Sequence, residues 1–359
     1  MNVLLAGGGS AGHVSPLLAL ADRLVADDPT TEVLALGTLS GIESRLVPAR
    51  GYQLYEIPRV PLPRRPSLTA LRMPADLRRA VRAARAAIDR VGADVVVGFG
   101  GYVAAPAYLA ARGAGVPIVV HEQNSRPGFA NRLGARLTQS VAVSFPGTAL
   151  RHARRTGLPL RKEISGLDRG ARRVSARLSF GLVPERRTLL VFGGSLGAQR
   201  LNDVVPQIAD DLGDLGVQVL HICGAGKNFR PERAPGQPAY VVVEYVDRME
   251  QAYAAADLVI GRAGANTVSE ITALGLPAVF VPLPIGNGEQ RLNAEPVAAA
   301  GGALLVDDAA FTSAWLRANL LALLTDPPRC EQMGTAAARF GRLDADRELA
   351  SMVRSAAGR

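Results

Sequence analysis

Short apolar runs alternate with longer amphipathic stretches along most of this chain. The runs Asn2–Ala6, Val33–Leu36, Asp94–Val97, Pro117–Val120 and Ser140–Val143 hold four or five residues each. They are too short for buried helices and are flanked by turn formers, so they predict buried strands. Between the first two, VSPLLALADRLVA has helical spacing. Residues 48–74 are rich in Pro and Arg and predict irregular structure. A helix is expected to start near Pro74, with Leu77, Val81, Ala84 and Ile88 on one stripe and Arg78, Arg79, Arg82 and Arg85 mostly off it.

Residues 147–187 are dense in Arg and predict a connection between domains. The opening theme then returns: Thr188–Phe192 is a strand, 193–198 a glycine loop, and the run from Gln199 a helix. Further strands are expected at Gln218–Ile222, Tyr240–Val243, Leu258–Ile260, Ala278–Val281 and Ala303–Val306, and a helical tail from about Thr325. Strands that alternate with helices and short loops predict parallel sheets that bind ligands at their carboxyl ends. The expected fold is therefore α/β, with two doubly wound domains facing a cleft. Their expected bounds are 1–160 and 161–340, with 341–359 a C-terminal helix packing back on the first domain.

The 359 residues suffice for two such domains. No run reaches transmembrane length, and residues 1–6 form a strand instead of a secretory leader. Cys223 and Cys330 form no metal-ligand pattern and suggest no disulfide framework, which fits a reducing cytoplasm. Net charge is +9, and residues 59–90 carry nine Arg against Asp76 and Asp89. That patch suits an anionic membrane or an acidic substrate, or is simply a solvated face. Nucleic acid fits less well, because the patch lacks interleaved aromatics.

Candidate chemistry gathers at the loops. Gly7, Gly9 and Gly12 satisfy G-x-G-x-x-G. The next strand exits into Gly37 and Thr38 without the acid that a nicotinamide ribose needs, so the loop is read as phosphate-facing or as a close-approach loop. His13, beside it, can take a proton or donate to a phosphate, or can merely pack there. GRAGANTVSE (261–270) opens a helix after a strand, as an anion site does. Glu270, about a turn in, can accept from a pair of ribose hydroxyls; an ordinary loop with a solvated Glu stays equally open. Ser195 can donate to a phosphate or cap the next helix. HEQN (121–124) is not H-E-x-x-H, since Ser125 stands at the second His position. Asp344 and Asp346 point apart on a helix. No metal site is read, no Ser-His-Asp or Cys-His system is present, and His152 and His221 are given no role.

GGGSAGHVSP, GFGGYV, HEQN, GGSLGAQRLN, YVDRM, GRAGANTVSE and PLPIGNGEQRLNA, in this order and spacing, together resemble the MurG family, in its actinobacterial form above all. The resemblance covers essentially the whole chain. It implies a GT-B fold and inverting, metal-independent transfer of N-acetylglucosamine from UDP-N-acetylglucosamine to lipid I. The product is lipid II, for peptidoglycan. It implies no cofactor, a peripheral place on the cytoplasmic membrane face, an anionic membrane partner, no nucleic acid, and contacts with other cell-wall synthesis proteins. By position it implies donor contacts from Ala265, Asn266, Thr267, Val268, Ser269 and Glu270. The loop backbone would meet the diphosphate and Glu270 the ribose. Ser195 would contact phosphate, the Val246 backbone uracil, and Gln290 the sugar. Ser10, Ala11, Gly12, Asn124 and Arg161 fall at ligand-contacting positions, with Arg262 a weaker candidate and His13 the candidate base or diphosphate-positioning group. Leu62, Leu68, Leu71 and Met73 would dip into the membrane.

The family's usual TGG reads Ser10-Ala11-Gly12 here, its GGSQGA reads GGSLGA with Leu196, and its Gln-Gln pair reads Glu289-Gln290. These departures leave open a relative that serves another lipid or an antibiotic acceptor. An oxidoreductase and a non-catalytic UDP-sugar-binding regulator are further alternatives.

Overall fold

The computed structural model describes residues 1–60, 68–194, 197–232 and 234–359, with backbone alone over 68–72. The chain divides into two compact units, Met1–Arg161 with Leu343–Arg359, and Lys162–Arg342.

The first unit holds seven strands: β1 (Asn2–Gly7), β2 (Glu32–Gly37), β3 (Gln53–Glu56), β4 (Val95–Gly100), β5 (Ile118–Glu122), β6 (Ser140–Val143) and β7 (Ala153–Arg155). All pair in parallel, in the order β3-β2-β1-β4-β5-β6-β7. β1 shows why the apolar runs are unbroken. Leu4 and Ala6 join one buried cluster, with Ala80, Ala84, Ala87 and Ile88 of the helix Leu68–Val91. Val3 and Leu5 join another, with Leu17, Leu20 and Leu24 of the helix Ala11–Asp27. A parallel sheet with helices on both faces has no solvated side, so its strands do not alternate in polarity. The second cluster also takes Leu349, Ala350 and Val353 of the tail helix Ala345–Ala356. Each fully buried Leu of this kind is worth roughly 1.5–3 kcal/mol.

The second unit holds β8 (Thr188–Phe192), β9 (Gln218–Ile222), β10 (Tyr240–Val243), β11 (Leu258–Gly261), β12 (Ala278–Phe280) and β13 (Ala303–Leu305). These too are parallel, in the order β10-β9-β8-β11-β12-β13. In each sheet the winding reverses beside the first strand, between β1 and β4 and between β8 and β11. Ligands of open α/β sheets sit outside the strand ends at such switch points. Three of the glycine-bearing loops, after β1, β4 and β11, lie there, together with the described parts of the loop after β8.

Three expectations need correction. Residues 48–74 are not wholly irregular: they contain the end of the helix Glu43–Ala49 and the edge strand β3. The arginine-bearing helix begins by Leu68, so Pro74 lies inside it. Residues 147–187 hold β7, which extends the first sheet, and the helix Arg169–Ser179 of the second unit. The apolar residues expected at a membrane also divide. Leu62 and the side chains of Leu68 and Leu71 lie outside the described residues. Met73 is half-buried and packs in part against the first core.

Candidate active site

At the first switch point the polar chemistry is organised by two buried carboxylates. Glu43 is 1% exposed. Its Oε2 accepts from the Gly9 N–H at 2.9 Å, and its Oε1 accepts from the Thr38 N–H at 3.0 Å and the Thr38 hydroxyl at 2.9 Å. A Cβ added at Gly8, Gly37 or Gly41 would run into the Glu43 side chain, so these glycines make the room it fills. Burial pushes the Glu43 carboxyl up, but the donors from Gly9 and Thr38 outweigh it and the net shift is downward. The glycine loop after β1 thus already holds an anion of the protein's own.

Beside it, Ser10 and His13 belong together. Ser10 caps the helix Ala11–Asp27 by position, and its Oγ lies 2.8 Å from His13 Nδ1. Ser10 is exposed, and Ala11, Gly12 and His13 are half-buried in the first turn. The His13 ring rests on Gly100, at the end of β4, where φ is +95° and a Cβ would crowd the imidazole. Burial lowers the His13 pKa to about 4, with the Glu43 charge opposing. The imidazole is therefore neutral at pH 7 and has a lone pair to offer.

The second carboxylate, Glu122, ends β5 at 2% exposure. It accepts from the Asn124 N–H at 2.9 Å, the Gly128 N–H at 3.0 Å and Asn131 Nδ2 at 3.0 Å. Asn131 in turn accepts from the Tyr108 hydroxyl at 2.8 Å. Burial pushes the Glu122 carboxyl up against these donors. HEQN is thus a braced turn that presents half-buried Asn124. Its His121 is a core group: Nε2 meets the Gly157 carbonyl at 3.0 Å, and burial lowers its pKa to about 4. Arg161, half-buried, closes this unit.

At the second switch point the helix Ala265–Ala273 starts after β11, behind Gly264, which has no side chain to cap it. Ala265 and Val268 are buried; Asn266, Thr267, Ser269 and Glu270 are half-buried. Glu270 is not a simply solvated side chain. Its Oε2 accepts from the Tyr253 hydroxyl at 2.8 Å, and Tyr253 is itself fully buried, edge-on to Phe192 of β8. Gln290, in the helix Glu289–Ala299, braces two loops: its Oε1 accepts from the Ala263 N–H at 3.2 Å and the Leu283 N–H at 3.0 Å. Arg262 is 8% exposed and donates to the Val281 and Pro282 carbonyls and to Asp308. Its fixed fork holds the exit of β12, a bracing role. Val246 is half-buried in the turn after β10. Ser195 and Leu196 lie outside the described residues.

The sequence reading missed Glu43, Glu122, Asn131 and Tyr253. His221, given no role there, is a core link between Tyr240 and Asn202, at 2.9 and 3.0 Å, with its pKa lowered to about 3 by burial.

Two family models match the chain: the glycosyltransferase family 28 N-terminal domain over residues 3–143, and the family 28 C-terminal domain over residues 188–349. Among curated relatives, a protein of Streptomyces avermitilis is 57% identical over 98% of both chains. One of Nocardioides sp. is 58% identical over 98% of this chain and 97% of its own. Both are named UDP-N-acetylglucosamine–N-acetylmuramyl-(pentapeptide) pyrophosphoryl-undecaprenol N-acetylglucosamine transferase. Among solved structures, MurG of Acinetobacter baumannii superposes with a TM-score of 0.79 at 29% identity, over 99% of each chain.

A pH prediction follows from the three imidazoles. His13, His121 and His221 hold protons less well in the folded chain than the ordinary value of 6.5. Below that value the unfolded chain binds more protons than the folded one. Their contribution to stability is therefore complete above pH 6.5 and falls as pH drops towards about 4. In an NMR titration all three rings are expected to stay neutral from pH 7 down to about 5. A midpoint near 6.5 for His13 would contradict the burial described for it.

Proposed function

The chain belongs to glycosyltransferase family 28, and from that premise we propose how its two domains divide the work. It is a UDP-sugar-dependent glycosyltransferase of peptidoglycan synthesis. It moves N-acetylglucosamine from UDP-N-acetylglucosamine to the N-acetylmuramyl sugar of lipid I and forms lipid II. The observation that carries this reading is likeness along the whole chain, at 57–58% identity, to transferases named for that reaction.

In the proposed division, the second domain takes the donor. The N–H groups at the start of the helix Ala265–Ala273 meet the diphosphate, helped by the helix dipole. Glu270 accepts from the ribose hydroxyls. It is already oriented by Tyr253, and a carboxylate has acceptor sites to spare. Gln290 meets the sugar as a donor, because its carbonyl already accepts two main-chain N–H groups. Val246 reads the base through its backbone, and Ser195 adds a phosphate contact. The first domain takes the acceptor, with Ser10, Ala11, Gly12, Asn124 and Arg161 as contacts.

The reaction is proposed as a single in-line displacement with inversion. The acceptor hydroxyl forms the new bond to the anomeric carbon while the bond to the UDP oxygen breaks. The acceptor proton passes to neutral His13, and the leaving diphosphate is met by preorganised donors, each typically worth about 3–4 kcal/mol. On this reading the reaction needs no metal.

Two measurements test it. Glu270→Ala is expected to weaken UDP binding in calorimetry by about 1.5–3 kcal/mol, through lost charge-assisted hydrogen bonds. Unchanged UDP affinity would remove Glu270 from the ribose. Labelled N-acetylglucosamine should pass to a soluble-chain lipid I analogue with EDTA present. Donor binding without transfer would point to a different acceptor, and transfer abolished by EDTA would refute metal independence.

We also place the protein at an anionic membrane. Among the described residues no helix is long and apolar enough to cross one. Arg78, Arg79, Arg82 and Arg85 are exposed on the helix Leu68–Val91, though Arg79 pairs with Asp76 and Arg85 with Asp89. Replacing Arg78, Arg79 and Arg82 with Glu is expected to abolish binding to anionic vesicles at physiological salt. Binding that survives would make the patch a solvated face.

A further inference from the structure

The glycine loop after β1 would ordinarily keep its N–H groups for a ligand anion, yet here one of them is already matched from within. Glu43 sits almost wholly out of solvent, takes the Gly9 N–H and both Thr38 donors, and fills the room left by Gly8, Gly37 and Gly41. The chain of contacts continues outward. Gly9 precedes Ser10, Ser10 Oγ lies 2.8 Å from His13 Nδ1, and the His13 ring rests on Gly100 of the neighbouring strand. One carboxylate therefore ties together β2's exit, the loop after β1 and the first turn of the next helix.

We infer that Glu43 is a positioning residue for the transfer: the built-in anion of the first glycine loop, which holds Ser10 and His13 in register for the acceptor without touching it. The inference rests on the reading that the first domain takes lipid I. It has a consequence for that reading. The Gly9 N–H is not a phosphate donor, so the acceptor diphosphate must be met by the first helical turn and by side chains instead. It also separates the two substrates. A fault at Glu43 disturbs only the acceptor side, because its contacts lie wholly in the first unit.

The geometry favours this over a merely stabilising strut. Its hydrogen bonds run to the switch-point loop after β1 and to the neighbouring loop after β2, and a carboxylate with three donors holds them in one arrangement. A strut could be lost at a cost in stability alone. A positioning group, when lost, changes turnover in a protein that is still folded.

Glu43→Gln brings an amide N–H2 against the same donors and removes the charge. Thr38→Val is milder, since it keeps the side-chain shape and removes only the hydroxyl donation. Both are assayed as full chains with UDP-N-acetylglucosamine and a soluble-chain lipid I analogue. Glu43→Gln is expected to lower kcat/KM for the lipid by about tenfold or more, while KM for the donor stays within about twofold. Thr38→Val should show the same split to a smaller extent. Lipid kinetics equal to wild type in a Glu43→Gln protein that melts earlier would overturn the inference and leave a strut. If Glu43→Gln no longer binds UDP, Thr38→Val decides: a selective fall on the lipid side supports the role, and unchanged lipid kinetics overturn it. Failure of the wild-type protein to use the lipid would instead strike the acceptor assignment, a result distinct from either.

Discussion

Main-chain N–H groups cannot be left unmatched where they are buried, and both switch points of this protein are shaped by how theirs are matched. Past the strand ends the main chain leaves the ladder and its N–H groups lose their partners, and the loops that follow are rich in glycine, which leaves the backbone bare. In the first unit the answer is internal. Glu43 takes the donors of the loops after β1 and β2, and Glu122 takes those of the turn after β5. In the second unit Gln290 takes the donors of Ala263 and Leu283, and the helix behind Gly264, like that behind Ser10, has no side-chain cap hydrogen bond at its start. The same secondary structure thus yields two kinds of loop. In the first, buried carboxylates take loop donors, and in the second a side-chain amide does.

That contrast accounts for the way the bracing residues are distributed. Tyr253 and Phe192 set the carboxylate of Glu270 from beneath, and Arg262 holds the exit of β12 through two carbonyls and Asp308. Asn131 joins Tyr108, His121 and Glu122 in one buried network. Such groups touch no ligand in the proposed mechanism. They fix the ones that do, and removing one partner leaves another buried polar atom unmatched, at a cost of roughly 1–3 kcal/mol.

The sheet cores were legible because strands covered on both faces must be apolar throughout. Eleven runs were read, and each corresponds to a strand within three residues at either end, β4 running furthest past its reading, to Gly100. The two strands that escaped, Gln53–Glu56 and Ala153–Arg155, are edge strands with polar or charged sequence, where no apolar run is required. The early start of the helix Leu68–Val91 escaped because Pro74 reads as a start signal, though here it lies a turn and a half inside. The glycine loops announced the switch points, but not what fills them. Nothing along the chain marks Glu43 as buried, since its donors come from positions 9 and 38 and its space from positions 8, 37 and 41. Tyr253 of the helix Met249–Ala255 likewise meets Glu270 of the helix Ala265–Ala273 only once the chain is folded. Contacts set by tertiary structure leave no local spacing to read.

The central claim is that the donor belongs to the switch-point loops of the second domain and the lipid acceptor to those of the first. Hydrogen–deuterium exchange with one ligand at a time tests it most directly. UDP alone is expected to slow exchange in segments 262–270 and 283–290, and to leave 7–13 and 122–131 unchanged. The lipid I analogue alone should do the reverse. Protection of residues 7–13 by UDP, with none at 262–270, would contradict the assignment of the two substrates.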